Sequence, residues 1–182
     1  FKKQIIEKKT HQLDRRLLTE VLKRQNSSIS LSNHSQKNIE LLSSKDTFTV
    51  TTGHQLCIFT GPLYFIYKII STINLTEVLK KKYSKYNFVP IFWMASEDHD
   101  FKEINHINLF GKKIEWDCKQ NGAVGRMNLD GFSIVLDKLR SLLGNSDNAK
   151  ELLLLLNKSY LMNNNLADAT RYLLNELFGK YG

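Results

Sequence analysis

The sequence is short of cysteine, of proline and of long apolar runs. Its two cysteines, Cys57 and Cys118, form no CxxC pair. That excludes a disulfide scaffold and a zinc cluster, and it points to a reducing cytoplasm. Pro62 and Pro90 are the only prolines, so most of the chain lacks the strongest helix breaker. The runs 89–95 and 152–156 fall far below the roughly 20 apolar residues of a membrane helix, and no signal-peptide pattern is visible. Acidic charge is also in short supply, with 18 Asp+Glu against 26 Lys+Arg and a formal charge of +8. A nucleic-acid-binding module is the function class that such a balance brings to mind. The basic residues are scattered, however, and no RNP, KH or helix-turn-helix pattern accompanies them. Abundant Lys, Asn and Ile match AT-rich codon usage, which implies a bacterial source and accounts for part of the charge. The chain opens on Phe1 rather than Met, inside a helical pattern, and ends at Gly182 directly after another. The expectation is a portion of a larger protein.

What is present suits one compact domain. Of the 182 residues, 42% are apolar and 24% charged, close to the globular average. Ile5, Ile6, Leu13, Leu17, Leu18 and Val21 recur at helical spacing and predict one helix over 1–25. A polar loop follows at 26–33, then a short helix over 35–42 capped by Asn33 or Ser35. Phe48 and Val50 alternate with threonines as a strand that Gly53 should end. Pro62 opens the longest helix, 62–82, with Leu63, Tyr67, Ile70, Leu75, Val78 and Leu79 as its apolar face. The apolar run 88–95 reads as a buried parallel strand. Thus 47–95 is a β-α-β unit of an α/β sheet. Beyond it come a hairpin around Phe110-Gly111, a further short strand over 123–129, and helices over 131–143, 147–158 and 164–178. The segmentation expected is a helical segment 1–46, the core of an α/β sheet over 47–130, and a helical segment 131–182.

Two segments could carry chemistry. Thr51-Thr52-Gly53-His54-Gln55, continuing to Thr60-Gly61-Pro62, lies between a strand end and a helix start, where open α/β sheets bind ligands. Helix N–H groups there suit a phosphate or carboxylate, although the spacing is neither a Walker A nor a GxGxxG motif. The second segment is Glu97-Asp98-His99-Asp100, directly after the second strand. A carboxylate beside a histidine can orient the ring for general-base work, or the group can ligate Mg²⁺. The alternative is that Asp98 or Asp100 caps a short helix. Tyr64, Tyr67 and Lys68 share the first turns of the long helix, with aromatic core as the alternative reading of the tyrosines. Asn105 and His106 follow the acidic segment, and Arg126 could pair with a carboxylate or phosphate. Cys57, among Leu56, Ile58 and Phe59, reads as a small buried hydrophobe.

These segments carry a resemblance. Thr51-Thr52-Gly53-His54-Gln55, Phe59-Thr60-Gly61-Pro62-Leu63-Tyr64-Phe65-Ile66-Tyr67-Lys68 and Pro90-Ile91-Phe92-Trp93-Met94-Ala95-Ser96-Glu97-Asp98-His99-Asp100-Phe101 resemble the pattern TGQQ…TGPLYxxYK…PVFWxAxEDHDF of the BshC family, the cysteine-adding enzymes of bacillithiol biosynthesis. The match is strong over 47–106. His54 departs from the pattern, which has Gln there.

The resemblance implies a Rossmann-like parallel sheet with helical flanks and insertions, incomplete at this length, and a coiled coil that makes the full-length protein a homodimer. It implies a cytoplasmic ligase that joins cysteine to glucosaminyl-malate in the last step of bacillithiol synthesis. The catalytic candidates are then His99, Asp98, Asp100 and Glu97. Gly53, His54, Gln55, Thr60, Gly61, Tyr64, Tyr67, Lys68, Asn105, His106 and Arg126 become candidates for binding substrate or nucleotide. The cosubstrate is left open by the sequence, with a nucleotide such as ATP or ADP as the candidate and Mg²⁺ as its candidate ion, and no membrane partner is expected. The segment 61–67 occupies the place of a HIGH motif with both His positions replaced by Tyr, which argues against ordinary adenylate chemistry. A nucleotide-dependent transferase with another acceptor is the alternative function.

Overall fold

The structure, a computed structural model, describes residues 1–182. In chain order it contains α1 (Lys2–Lys9), α2 (Arg15–Gln25), α3 (Asn33–Leu41), β1 (Thr47–Gln55), α4 (Leu63–Lys82), β2 (Asn87–Ala95), α5 (Phe101–Ile104), β3 (His106–Leu109), β4 (Lys112–Glu115), α6 (Phe132–Leu143), α7 (Asp147–Leu161) and α8 (Leu166–Phe178). The fold is mixed α/β. β1 and β2 pair as parallel strands, with α4 as the crossover between them, and β3 and β4 form a separate hairpin.

The chain divides into two units. The first comprises 1–52, 68–92 and 177–182. Its core gathers Ile5 of α1, Leu79 of α4 and Phe88 of β2, with Phe48, Val50, Leu75, Tyr83 and Tyr86 packed around them. Phe48 meets Tyr86 edge-on at 5.5 Å. Lys9 ties α1 to the start of β1 through Asp46 at 2.8 Å and also lies over the Tyr86 ring. The predicted helix over 1–25 is broken in two. Thr10 turns its hydroxyl back onto the Glu7 carbonyl, and Asp14 caps a new helix by accepting from the Leu17 N–H at 2.9 Å. Such a cap satisfies a donor that a continuous helix would leave to its own carbonyls. Ile6, Leu13 and Leu17 are consequently exposed rather than on one buried face. The next helix is capped by Ser32, not by Asn33 or Ser35, through the Ser35 N–H.

Leu75 and Leu79 of the expected face pack in the core, but the rest of the long helix turns a different face inward. Leu63, Tyr67, Ile70 and Val78 are exposed, while Phe65, Ile69, Thr72, Thr76 and Leu79 are buried. The buried stripe runs at spacings of four and three, as a helix requires. It includes two threonines because Thr76 donates its hydroxyl to the Thr72 carbonyl at 2.8 Å, so burial leaves that group satisfied. The second strand is likewise less buried than its apolar run predicts. Phe88 and Val89 are enclosed, but Trp93 is 61% exposed.

The second unit comprises 53–67 and 93–176. The hairpin forms as expected, with Ile107 opposite Ile114 and a tight turn at Phe110 and Gly111, both at positive φ. Behind it lies an aromatic cluster. Trp116 meets Phe132 edge-on at 5.3 Å, Phe132 stacks on Tyr160 at 4.2 Å, and Phe59 contacts both Phe132 and Tyr160. Helices α6 to α8 match their predicted positions. Ser146 caps α7, and Asn165 accepts from the Asp168 N–H at the start of α8. The expected strand over 123–129 is absent. A 3-10 turn at Val124–Arg126 stands there instead.

Candidate active site

Apart from Thr51, Thr52 and Lys68, the residues of the two candidate segments and the binding candidates beyond them lie in the second unit. The first strand carries its candidates further than expected. Gly53 does not end β1, which continues to Gln55. A Cβ on Gly53 would stand 3.2 Å from both the Cβ and the carbonyl oxygen of Trp93, so glycine here permits a close approach of neighbouring strands.

Gln55 then joins the two strand ends. Its Nε2 donates to Asp98 Oδ2 and to Glu103 Oε2, each at 2.7 Å. Asp98 Oδ1 accepts from the backbone N–H of His99 at 2.6 Å and of Asp100 at 3.1 Å. The Gln55 amide, followed by these two N–H groups, holds the Asp98 carboxyl below the usual carboxylate range. Asp98 therefore organises the loop backbone. Glu97, His99 and Asp100 project around it and are exposed.

The far side of this loop is pinned by the 3-10 turn. The Val124 N–H donates to the Asp98 carbonyl at 2.7 Å, and the Gly125 N–H to the Ser96 carbonyl at 3.0 Å. These bonds explain why 123–129 forms no strand, since its donors already serve the loop. Gly125 is obligatory in this arrangement. An added Cβ would come to 2.6 Å from Ser96 Cβ and 2.8 Å from its carbonyl oxygen. Arg126 follows immediately and is exposed.

His54 sits beside the framework of the first loop. Its Nδ1 is 3.0 Å from the Gln55 carbonyl and 3.8 Å from Cys57 Sγ, and its ring lies 5.0 Å from both Tyr64 and Phe65. The carbonyl can only accept, so Nδ1 is the donor in that contact. Nε2 is buried and has no hydrogen-bond partner. Cys57 is buried, and that burial pushes its thiol up to about 11, so it carries no thiolate at neutral pH. Thr60 and Gly61 lead into α4 with positive φ, and Gly61 fits because a Cβ there would fall 2.4 Å from Cys57 Cβ. Tyr64 and Tyr67 stand exposed on the first turns of the helix rather than in an aromatic core.

Asn105 and His106 are drawn into the packing instead. Buried Asn105 donates its amide to the Trp116 carbonyl at 3.1 Å, and its Oδ1 faces His106 Nδ1 at 3.1 Å. Glu103 and Gly125 are the contributors that motif reading passed over. An acidic residue on the turn after the EDHD segment, and a glycine just before Arg126, were the available signals. No group of three or more His, Cys, Asp or Glu side chains is arranged to hold a metal ion. No helix is long and apolar enough to cross a membrane.

Comparison with known proteins agrees with this geometry. The family model "Bacillithiol biosynthesis BshC, N-terminal Rossmann-like domain" matches residues 1–182. A relative from Flavobacterium psychrophilum, named "Putative cysteine ligase BshC", is 53% identical over all of this chain and 35% of its own length. A Flavobacterium johnsoniae protein of the same name is also 53% identical, with the same coverage. A more distant one from Natranaerobius thermophilus is 39% identical over 79% of this chain and 28% of its own. The chain thus spans about a third of the length of the two Flavobacterium relatives. The parallel β-α-β crossover and the motifs at its two strand ends are those of a Rossmann-like domain, and the chain belongs to the BshC family of bacillithiol biosynthesis.

Proposed function

We propose that this chain supplies the acid-base half of a ligase that joins the carboxyl group of cysteine to the amine of glucosaminyl-malate, the last step in making bacillithiol. The observation that carries the reading is the Gln55–Asp98 bond. It draws the end of β1 to the loop after β2 and leaves His99 and Asp100 exposed beside it. The carboxyl ends of parallel strands are where α/β sheets bind ligands.

Amide formation requires a neutral amine. His99 takes a proton from the amine nitrogen as that nitrogen attacks the cysteine carboxyl carbon. The C–N bond forms, the bond from that carbon to its activating oxygen breaks, and the oxygen leaves with its electron pair. A nucleotide would supply the activated carboxyl. The Gly61 N–H is held by the Ile58 carbonyl at 2.8 Å, so it is the N-terminus of α4 that offers backbone N–H groups suited to its phosphates. Arg126 is the cation assigned to a malate carboxylate. Glu97 and Asp100 are exposed beside His99 in the same loop and are assigned to the same acid-base group. Tyr64 and Tyr67 would line the ligand's other side. A homodimer of the full-length protein and a cytoplasmic setting belong to the same proposal.

The test is product analysis by mass spectrometry. The intact protein is incubated with cysteine, glucosaminyl-malate and either ATP or ADP. A new thiol with the mass of the amide supports the reading. A nucleotide-dependent product on another acceptor, with none on glucosaminyl-malate, would replace it with a different transferase.

A further inference from the structure

The turn between β1 and α4 holds an uncommon conformation. Phe59, Thr60 and Gly61 have φ of 53°, 71° and 58° in succession. Glycine enters this region readily, but two adjacent residues bearing a Cβ do so only when their surroundings hold them there. Here the surroundings are specific. The Phe59 N–H donates to the hydroxyl of Tyr160, 2.8 Å away and 101 positions along the chain. Tyr160 belongs to α7 and is fully enclosed. Its ring stacks on Phe132 at 4.2 Å with the planes 9° apart, and Phe59 packs edge-on against both rings. The neighbours Leu56, Cys57 and Ile58 are buried, so this segment cannot relax into solvent without opening the core.

We propose that Tyr160 is a positioning residue for the ligand crevice. Its hydroxyl latches the left-handed Phe59-Thr60-Gly61 turn and thereby fixes where the first turn of α4 presents its N–H groups and Tyr64. The inference rests on the proposed reading of that turn as the anion-binding side of the site. Tyr160 touches no substrate and acts only through the Phe59 backbone. No sequence motif points to it, because the contact joins segments far apart in the chain.

The variant Tyr160→Phe tests it, since the stacked ring stays and only the acceptor goes. Two readouts are taken on the intact protein alongside the wild type, with thermal unfolding as the control. Amide hydrogen exchange at Phe59–Gly61 should quicken by roughly tenfold or more, with the β3–β4 hairpin unchanged, because a part-buried N–H loses its partner. In the coupling assay the KM for the phosphate- or carboxylate-bearing substrate should rise about tenfold with kcat little changed, the mark of lost binding rather than lost chemistry. A lower melting temperature with wild-type KM and wild-type exchange at 59–61 would overturn the proposal and leave Tyr160 a core residue. If the wild type itself forms no thiol, the ligase reading fails. The exchange measurement then decides the latch alone: quickening confined to 59–61 upholds it, and wild-type exchange there overturns it.

Discussion

The two strand ends of the candidate site are built in opposite ways. After β1 the chain dives inward. Leu56, Cys57 and Ile58 are buried, three consecutive residues hold positive φ, and the Cys57 thiol is pushed out of reactive range. After β2 the chain stays outside. Glu97, His99 and Asp100 are exposed, and their loop is held by hydrogen bonds from Gln55, Val124 and Gly125 rather than by a core of its own. One junction is shaped by packing and the other is suspended from it by polar contacts. Conformational precision and chemical availability are therefore divided between two loops, as a site needs when reacting groups must face solvent and still stand in fixed places.

Substitutions can sharpen this contrast. Gly61→Ala should cost the most, about 3 kcal/mol or more, because it adds a left-handed penalty to a collision with Cys57 Cβ. Denaturant unfolding would read it, and a midpoint unchanged from the wild type would show the turn to be pliable. Gly125→Ala should cost about 2 kcal/mol, since Ser96 backbone and Cβ must both give way. Its effect belongs to the second loop, so exchange should quicken at 96–100 and not at 59–61.

Gln55→Leu should act on protonation rather than on packing. Gln55 is the largest cause of the lowered Asp98 pKa. A depressed carboxyl contributes stability above its unfolded pKa, near 3.9, and loses it as pH falls through the lower folded value. Carboxyl-carbon NMR should show the Asp98 titration moving up towards the unfolded value in the variant. An unmoved titration would mean that the His99 and Asp100 N–H groups suffice. The smallest effect concerns the thiols. At pH 8 iodoacetamide should leave Cys57 unmodified in the folded protein, and prompt labelling there would contradict a buried first loop.

The residues that could be read from sequence are those whose local pattern and tertiary role coincide. The β-α-β unit, the hairpin turn at Phe110-Gly111 and helices α6 to α8 follow from periodicity and turn chemistry. So do the positions of the EDHD segment and the Gly61-Pro62 turn. Readings failed where a single polar contact overrode the pattern. Asp14 started a helix inside an amphipathic stretch, and Thr76 entered a buried stripe by satisfying its own hydroxyl. The backbone donors of Val124 and Gly125 went to a distant loop instead of a sheet. Asp98 shows the same limit within the site. Its identity was visible, but its bonds to Gln55 and to the loop N–H groups required the fold. Tyr160 became visible only through a partner 101 positions away.

The central claim is that the loop after β2 carries the acid-base chemistry while the loop after β1 shapes the site. The most direct measurement compares thiol formation by His99→Ala and the wild type in the intact protein, with thermal unfolding recorded for both. An exposed general base should be dispensable for folding, so the melting temperature should stay within about 1 °C while the rate falls by roughly a hundredfold or more. A wild-type rate in a fully folded His99→Ala protein would contradict the claim.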